Sequence, residues 1–122
     1  MLSLHDKLKG QDLLPEHLES LGGGWVAEEA LAISLLCALH YTSDFKKGVL
    51  AAVNHSGDSD STGSITGNIL GLIHGLDSIP EEWKSNLKYS DIVLEMGEDL
   101  ATGVKGNTYE PDKEWGEKYP GY

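Results

Sequence analysis

Val26-Ala27-Glu28-Glu29-Ala30-Leu31-Ala32-Ile33-Ser34-Leu35-Leu36-Cys37-Ala38-Leu39-His40-Tyr41 is the stretch on which the fold turns. Ala27, Ala30, Leu31, Ile33, Leu35, Leu36, Ala38 and Leu39 occupy most of a helical circumference, and Glu28 and Glu29 stand in the first turn. A helix apolar on nearly every side belongs in the interior, so the segment predicts a central core helix. Cys37 lies among Leu and Ala in that helix, which makes it a core residue rather than a nucleophile.

The same periodicity extends in both directions. Upstream, Leu2, Leu4 and Leu8, then Leu13, Leu14, Leu18 and Leu21, predict two short helices, with Pro15 suited to a first turn. Gly22-Gly23-Gly24 interrupts them just before Trp25, a break that permits positive φ or close backbone approach. Downstream, Thr42, Ser43 or Asp44 caps a helix running from Phe45 through Val49, Ala52 and Val53 to Asn54. A further helix is expected from about Ser61 to Gly75, with Ile65, Ile69, Leu72 and Ile73 on one side and Gly63, Gly67, Gly71 and Gly75 in a stripe. Each helical glycine costs roughly 1 kcal/mol relative to alanine, so the stripe predicts close packing against a neighbouring helix. Asp77 to Trp83 reads as a capped helix start, and Ser90 to Thr102 as a helix with Ile92, Val93, Met96 and Leu100 inward. Gly106 to Tyr122 is polar and turn-rich. With no strand-like alternation between turn signals, the fold class is all-α.

The 122 residues suit one compact domain, 1–122. A formal net charge of −11 disfavours nucleic acid and anionic lipid as partners. The N-terminus lacks the apolar core of a signal peptide, and nothing is long and apolar enough to span a membrane. A cytoplasmic protein is the expectation.

Between two of the helices lies Asn54-His55-Ser56-Gly57-Asp58-Ser59-Asp60-Ser61-Thr62-Gly63, dense in carboxylates and hydroxyls. Such oxygen donors suit a hard divalent cation. Asp and Ser also cap helices without any metal, and the residue types alone leave both readings open. An EF-hand is excluded: Asp58, Asp60, Thr62 and Gly63 fit its first positions, but the twelfth is Ile69, where a bidentate Glu belongs.

Gly24-Trp25-Val26-Ala27-Glu28-Glu29-Ala30-Leu31, then Ala52 to Gly63, then Gly67-Asn68-Ile69-Leu70-Gly71, resembles the C-terminal half of the ADP-ribosylglycohydrolases. The similarity runs from about Gly22 to Leu87, and Lys118-Tyr119-Pro120-Gly121-Tyr122 resembles the family's end. The resemblance implies the C-terminal portion of a compact multi-helix fold that hydrolyses the glycosidic bond of ADP-ribosylated targets. It places Asp58-Ser59-Asp60-Ser61 on the family's Asp-Thr-Asp-Thr type element, which makes Asp58, Asp60 and Ser61 ligands in a two-Mg2+ centre, with Mn2+ as a substitute, and Asp58 and Asp60 catalytic. By the same resemblance Trp25, Ser56, Gly57 and Ser59 line the ADP-ribose site, although core packing is the commoner role for an aromatic such as Trp25. His55 is expected to support the loop by hydrogen bonding, while His40 and His74 suggest no partner. The family's Thr-Asp-Asp type element does not occur in residues 1–122. The chain is therefore expected to supply half of a site, completed by a separate N-terminal half or by a homo-oligomer; the alternative is a catalytically incomplete fragment or a partner-binding or metal-binding helical module.

Overall fold

In the computed structural model, residues 1–103 and 117–119 are described, and they contain helices and turns with no strand. The chain divides into two compact units, Met1–Lys84 and Ser85–Tyr122.

The first unit begins with α1 (Leu2–Lys7) and α2 (Pro15–Glu19), and Pro15 does occupy the first turn of α2. The predicted core helix is α3 (Ala27–His40). It is followed by α4 (Phe45–Val53), whose cap is Asp44: its Oδ1 accepts the Lys47 amide at 2.9 Å. α5 (Ser59–His74) begins two residues before the expected start, which brings Asp60 and Ser61 into its first turn. A 3₁₀ turn, Leu76–Ser78, and α6 (Glu81–Asn86) follow.

Two apolar clusters hold the first unit together. Leu18, Ile33, Leu36, Cys37 and Ala52 join α2, α3 and α4, with Met1, Leu4, Leu13 and Leu21 packed around them. Ala38, Phe45 and Leu70 form the second, flanked by Val49, Ile69, Ile79 and Trp83. Burial pushes the Cys37 thiol up to about 12, consistent with an inert core residue.

α3 and α5 meet along a polar seam that periodicity did not show. Ser34, Thr62 and Thr66 are fully buried. The Ser34 hydroxyl donates to the Ala30 carbonyl at 2.7 Å and reaches that of Thr62 at 3.1 Å. Short hydroxyl side chains that return their hydrogen bonds to backbone carbonyls satisfy themselves in an interior. They leave the helices free to approach closely.

The apolar side of α5 is not its buried side. Thr62, Gly63, Thr66 and Leu70 are the buried positions, whereas Leu72 is 90% and Ile73 54% exposed. The glycine stripe serves packing at one end only. A Cβ on Gly63 would lie 2.5 Å from Val53 Cγ1, but one on Gly71 would meet nothing. Gly48 of α4 adds a second close approach, since a Cβ there would lie 2.4 Å from Leu70 Cδ1.

His40 and His74 have partners after all. His40 Nε2 lies 2.6 Å from the Gln11 carbonyl and His74 Nε2 2.5 Å from that of Thr42, tying α3 and α5 to neighbouring loops.

The second unit contains α7 (Ser90–Gly103). Ile92, Val93, Met96 and Leu100 were expected inward on this helix, yet each is at least two-fifths exposed. Lys118 bridges Glu95 at 2.6 Å and Asp99 at 2.7 Å, and the Tyr119 hydroxyl donates to Asp99 at 2.8 Å. Of the closing sequence motif, Pro120 to Tyr122 lie outside the described residues, as do positions 104–116.

Candidate functional site

The acidic loop is seated on the triple-glycine turn by direct backbone contact. Asp58 N–H donates to the Gly23 carbonyl at 2.8 Å. A Cβ on Gly57 would lie 1.9 Å from that same carbonyl oxygen, so only glycine allows the two backbones to approach this closely. Gly22 and Gly24 have φ of 122° and 76°, values that L side chains rarely adopt. The break seen in the sequence is therefore the floor of the site.

Behind the loop, His55 forms a knot with Thr62. His55 Nδ1 accepts the Gly57 amide at 3.1 Å, which leaves Nε2 carrying the proton and facing Thr62 Oγ1 at 2.9 Å. Thr62 Oγ1 in turn donates to the Ala52 carbonyl at 2.7 Å. These bonds orient the His55 ring and fasten the end of α4 to the start of α5. His55 thus holds the loop from within, as the sequence suggested.

Asp58 is the N-cap residue of α5, and its side chain makes no capping bond to the helix amides. Its carboxyl is held below the usual carboxylate range chiefly by its interaction with the neighbouring Asp60 side chain. The Ser61 hydroxyl adds to this. Asp58, Asp60 and Ser61 thus converge at the N-terminus of a sixteen-residue helix, with Asp60 exposed and the other two partly covered.

The remaining predicted site residues divide. The Ser59 hydroxyl donates to the His55 carbonyl at 3.0 Å and serves the loop's own turn. Gly57 gives its amide to His55. Ser56 is exposed, and its amide is held at 3.0 Å by Glu19 Oε1. The Ser56 hydroxyl and amide together hold the Glu19 carboxyl below its ordinary range. Trp25 is 74% exposed, which overturns its expected place in the core. Its indole sits where a side chain on Gly23 would project, 2.6 Å from such a Cβ.

Sequence reasoning left Glu29 without a role. Its Oε2 accepts both the Gly23 and Gly24 amides at 3.1 Å, and so it organises the turn on which the loop rests. The spacing from a Gly-Gly-Gly turn to an acid in the next helix's first turn is the available signal. Glu19, on α2, has no comparable pattern.

Two carboxylates and a hydroxyl converging at a helix start present oxygen donors only, the set that hard cations such as Mg2+ and Mn2+ prefer. Carboxylates within hydrogen-bonding reach of each other repel when both ionise, and a divalent cation would relieve that repulsion. The donor set fits such an ion while leaving coordination positions to water, substrate or further protein oxygens. Among the described residues, no group of three or more His, Cys, Asp or Glu side chains is placed to hold a metal ion by itself.

The sequence pattern of the family described as ADP-ribosylglycohydrolase matches residues 2–110. The chain is 42% identical over 52 residues to the ADP-ribosyl-[dinitrogen reductase] glycohydrolase of Rhodospirillum rubrum, covering 40% of the chain and 18% of that protein. It is 32% identical over 63 residues to the ADP-ribosylarginine hydrolase Tri1 of Serratia proteamaculans, covering 52% of the chain and 17% of the relative. Another Tri1, from Pseudomonas putida, is 26% identical over 65 residues, covering 53% of the chain and 18% of that protein. The matched stretches thus span less than a fifth of the length of these relatives. No solved structure matches the chain.

Proposed function

Because the chain belongs to the ADP-ribosylglycohydrolase family, we propose that it carries the C-terminal cation-binding loop of an enzyme that hydrolyses ADP-ribosylated proteins. The observation that carries the reading is the convergence of Asp58, Asp60 and Ser61 at the head of α5. Asp58 and Asp60 are the carboxylate ligands and Ser61 the hydroxyl ligand of a Mg2+ centre, two ions in the complete site, with Mn2+ as a substitute. Bound there, the cations supply Lewis-acid chemistry for hydrolysis of the glycosidic bond.

The chain's own groups do the rest. The Gly57–Gly23 contact and the His55–Thr62 knot keep the carboxylates from retreating when they repel each other. Asp58, held ionised, orients a cation or an attacking water on the open side of the loop. Exposed Trp25 offers an aromatic face for stacking the adenine or ribose of ADP-ribose. A chain of net charge −11 repels the pyrophosphate of that ligand, so the cations also make substrate binding electrostatically tolerable. The coordination positions left open fall to oxygens of an N-terminal half or a second copy.

The test is Mg2+-dependent release of ADP-ribose from an ADP-ribosylated protein by the assembled enzyme containing this chain. Asp60→Ala is expected to abolish release, and unchanged turnover would refute the assignment.

A further inference from the structure

We infer that Glu29 is a positioning residue for the Asp58 loop, acting through the backbone of the triple-glycine turn; the inference rests on the cation-site reading above. The linkage consists of short, consecutive contacts. Glu29 Oε2 accepts the Gly23 and Gly24 amides, both at 3.1 Å. The carbonyl of Gly23 then accepts the Asp58 amide at 2.8 Å. Gly24 also packs directly on the loop, since a Cβ there would lie 3.7 Å from Asp58 Cβ and 3.2 Å from Thr62 Cγ2.

The turn is shaped to admit this carboxylate. A Cβ on Gly22 would lie 2.3 Å from Glu29 Cδ, so the side chain occupies space that any other residue at position 22 would fill. Two amides converging on one carboxylate oxygen form charge-assisted hydrogen bonds, the stronger kind. Gly23 is polarised by the same arrangement: an amide that donates to a carboxylate makes its peptide neighbours better partners in a hydrogen-bonded chain. Glu29 itself sits in the first turn of α3, a position that suits an acidic side chain. The carboxylate therefore connects the core helix to the Asp58 loop through the backbone of the turn.

Removing a hydrogen-bonded support behind a metal ligand commonly lowers metal affinity by about 10-fold to 100-fold. The experiment uses the full chain with Mn2+ as probe, read by calorimetry or electron paramagnetic resonance, and amide hydrogen exchange at Asp58 read by NMR, with the Leu36 amide as a core reference.

Glu29→Ala and Glu29→Asp are expected to accelerate exchange at Asp58 relative to Leu36 and to weaken Mn2+ by about tenfold or more. Glu29→Asp keeps the charge and withdraws it by one methylene. Glu29→Gln, which keeps an acceptor at the same reach, is expected to retain most of both properties. A merely structural role would move Asp58 and Leu36 together. Wild-type exchange and affinity in Glu29→Asp, or a loss in Glu29→Gln as large as in Glu29→Asp, would overturn the inference, and this pair decides it even where Glu29→Ala does not fold. Absence of Mn2+ binding in the wild-type chain would sink the cation reading instead, while exchange at Asp58 still decides whether Glu29 positions the loop.

Discussion

Gly57→Ala puts the seating of the acidic loop to the test. The added Cβ would lie 1.9 Å from the Gly23 carbonyl oxygen and 2.7 Å from its carbon. Atoms in such contact normally stay beyond 3.0 Å, and the obstacle is backbone rather than the end of a flexible side chain. The loop and the turn must therefore separate by about 1 Å. That displacement stretches the 2.8 Å bond from Asp58 N–H to the Gly23 carbonyl past hydrogen-bonding distance. Overpacking costs about 1–3 kcal/mol and the lost bond about 1 kcal/mol, so roughly 2–4 kcal/mol of stability is at stake. Equilibrium urea unfolding measures it through a lower midpoint at unchanged slope. A loss below about 0.5 kcal/mol, the scale of an uninvolved surface substitution, together with an unchanged Asp58 exchange rate, would refute the seating of the loop on Gly23.

Other consequences are independent of that contact. Thr62→Val preserves shape but strands the Ala52 carbonyl and the His55 Nε2–H, and urea unfolding should show a loss of about 1–3 kcal/mol. Leu70→Ala removes a fully buried side chain and should cost about 2–5 kcal/mol. Leu72→Ala, at a position 90% exposed, should stay within about 0.5 kcal/mol in the same assay; comparable losses at both positions would show that the inward face of α5 is misassigned. The Glu19 carboxyl is held below its ordinary range by Ser56. A depressed folded pKa gives a contribution present above the unfolded glutamate value and lost as pH falls through the folded one. NMR titration of Glu19 should therefore find it still ionised below the ordinary glutamate range, and Glu19→Gln should flatten that acid-side loss.

Much of the helical framework was legible because its determinants are local. The all-round apolar pattern of Val26 to Tyr41, a cap among Thr42, Ser43 and Asp44, and Pro15 in a first turn are decided within a few residues; the helix and Pro15 appear where the pattern placed them, and Asp44 proves to be the cap. The inward faces were less legible. Periodicity groups Ile65, Ile69, Leu72 and Ile73, but which face turns inward depends on where α3 and α4 lie. Ser34, Thr62 and Thr66 carry no apolar signal, and their burial follows from contacts such as the bond from the Ser34 hydroxyl to the Thr62 carbonyl and that from Thr62 to the Ala52 carbonyl of α4. The acidic loop was legible as chemistry from its carboxylates. Its support was less so: Glu29 and Glu19 act on backbone amides, and only the spacing of Glu29 from the Gly-Gly-Gly turn signals such a role. For Trp25 the residue type favoured the core, as it does for most aromatics beside a core helix, whereas the side chain is exposed.

The central claim is that Asp58, Asp60 and Ser61 form a cation-binding half-site, and calorimetric titration of the chain with Mg2+, with and without ADP-ribose, addresses it most directly. The wild-type chain should bind Mg2+ saturably and more tightly with ADP-ribose present, and the Asp58→Asn, Asp60→Asn double variant should lose both effects while keeping its fold. Identical titrations for the wild type and the double variant would contradict the claim.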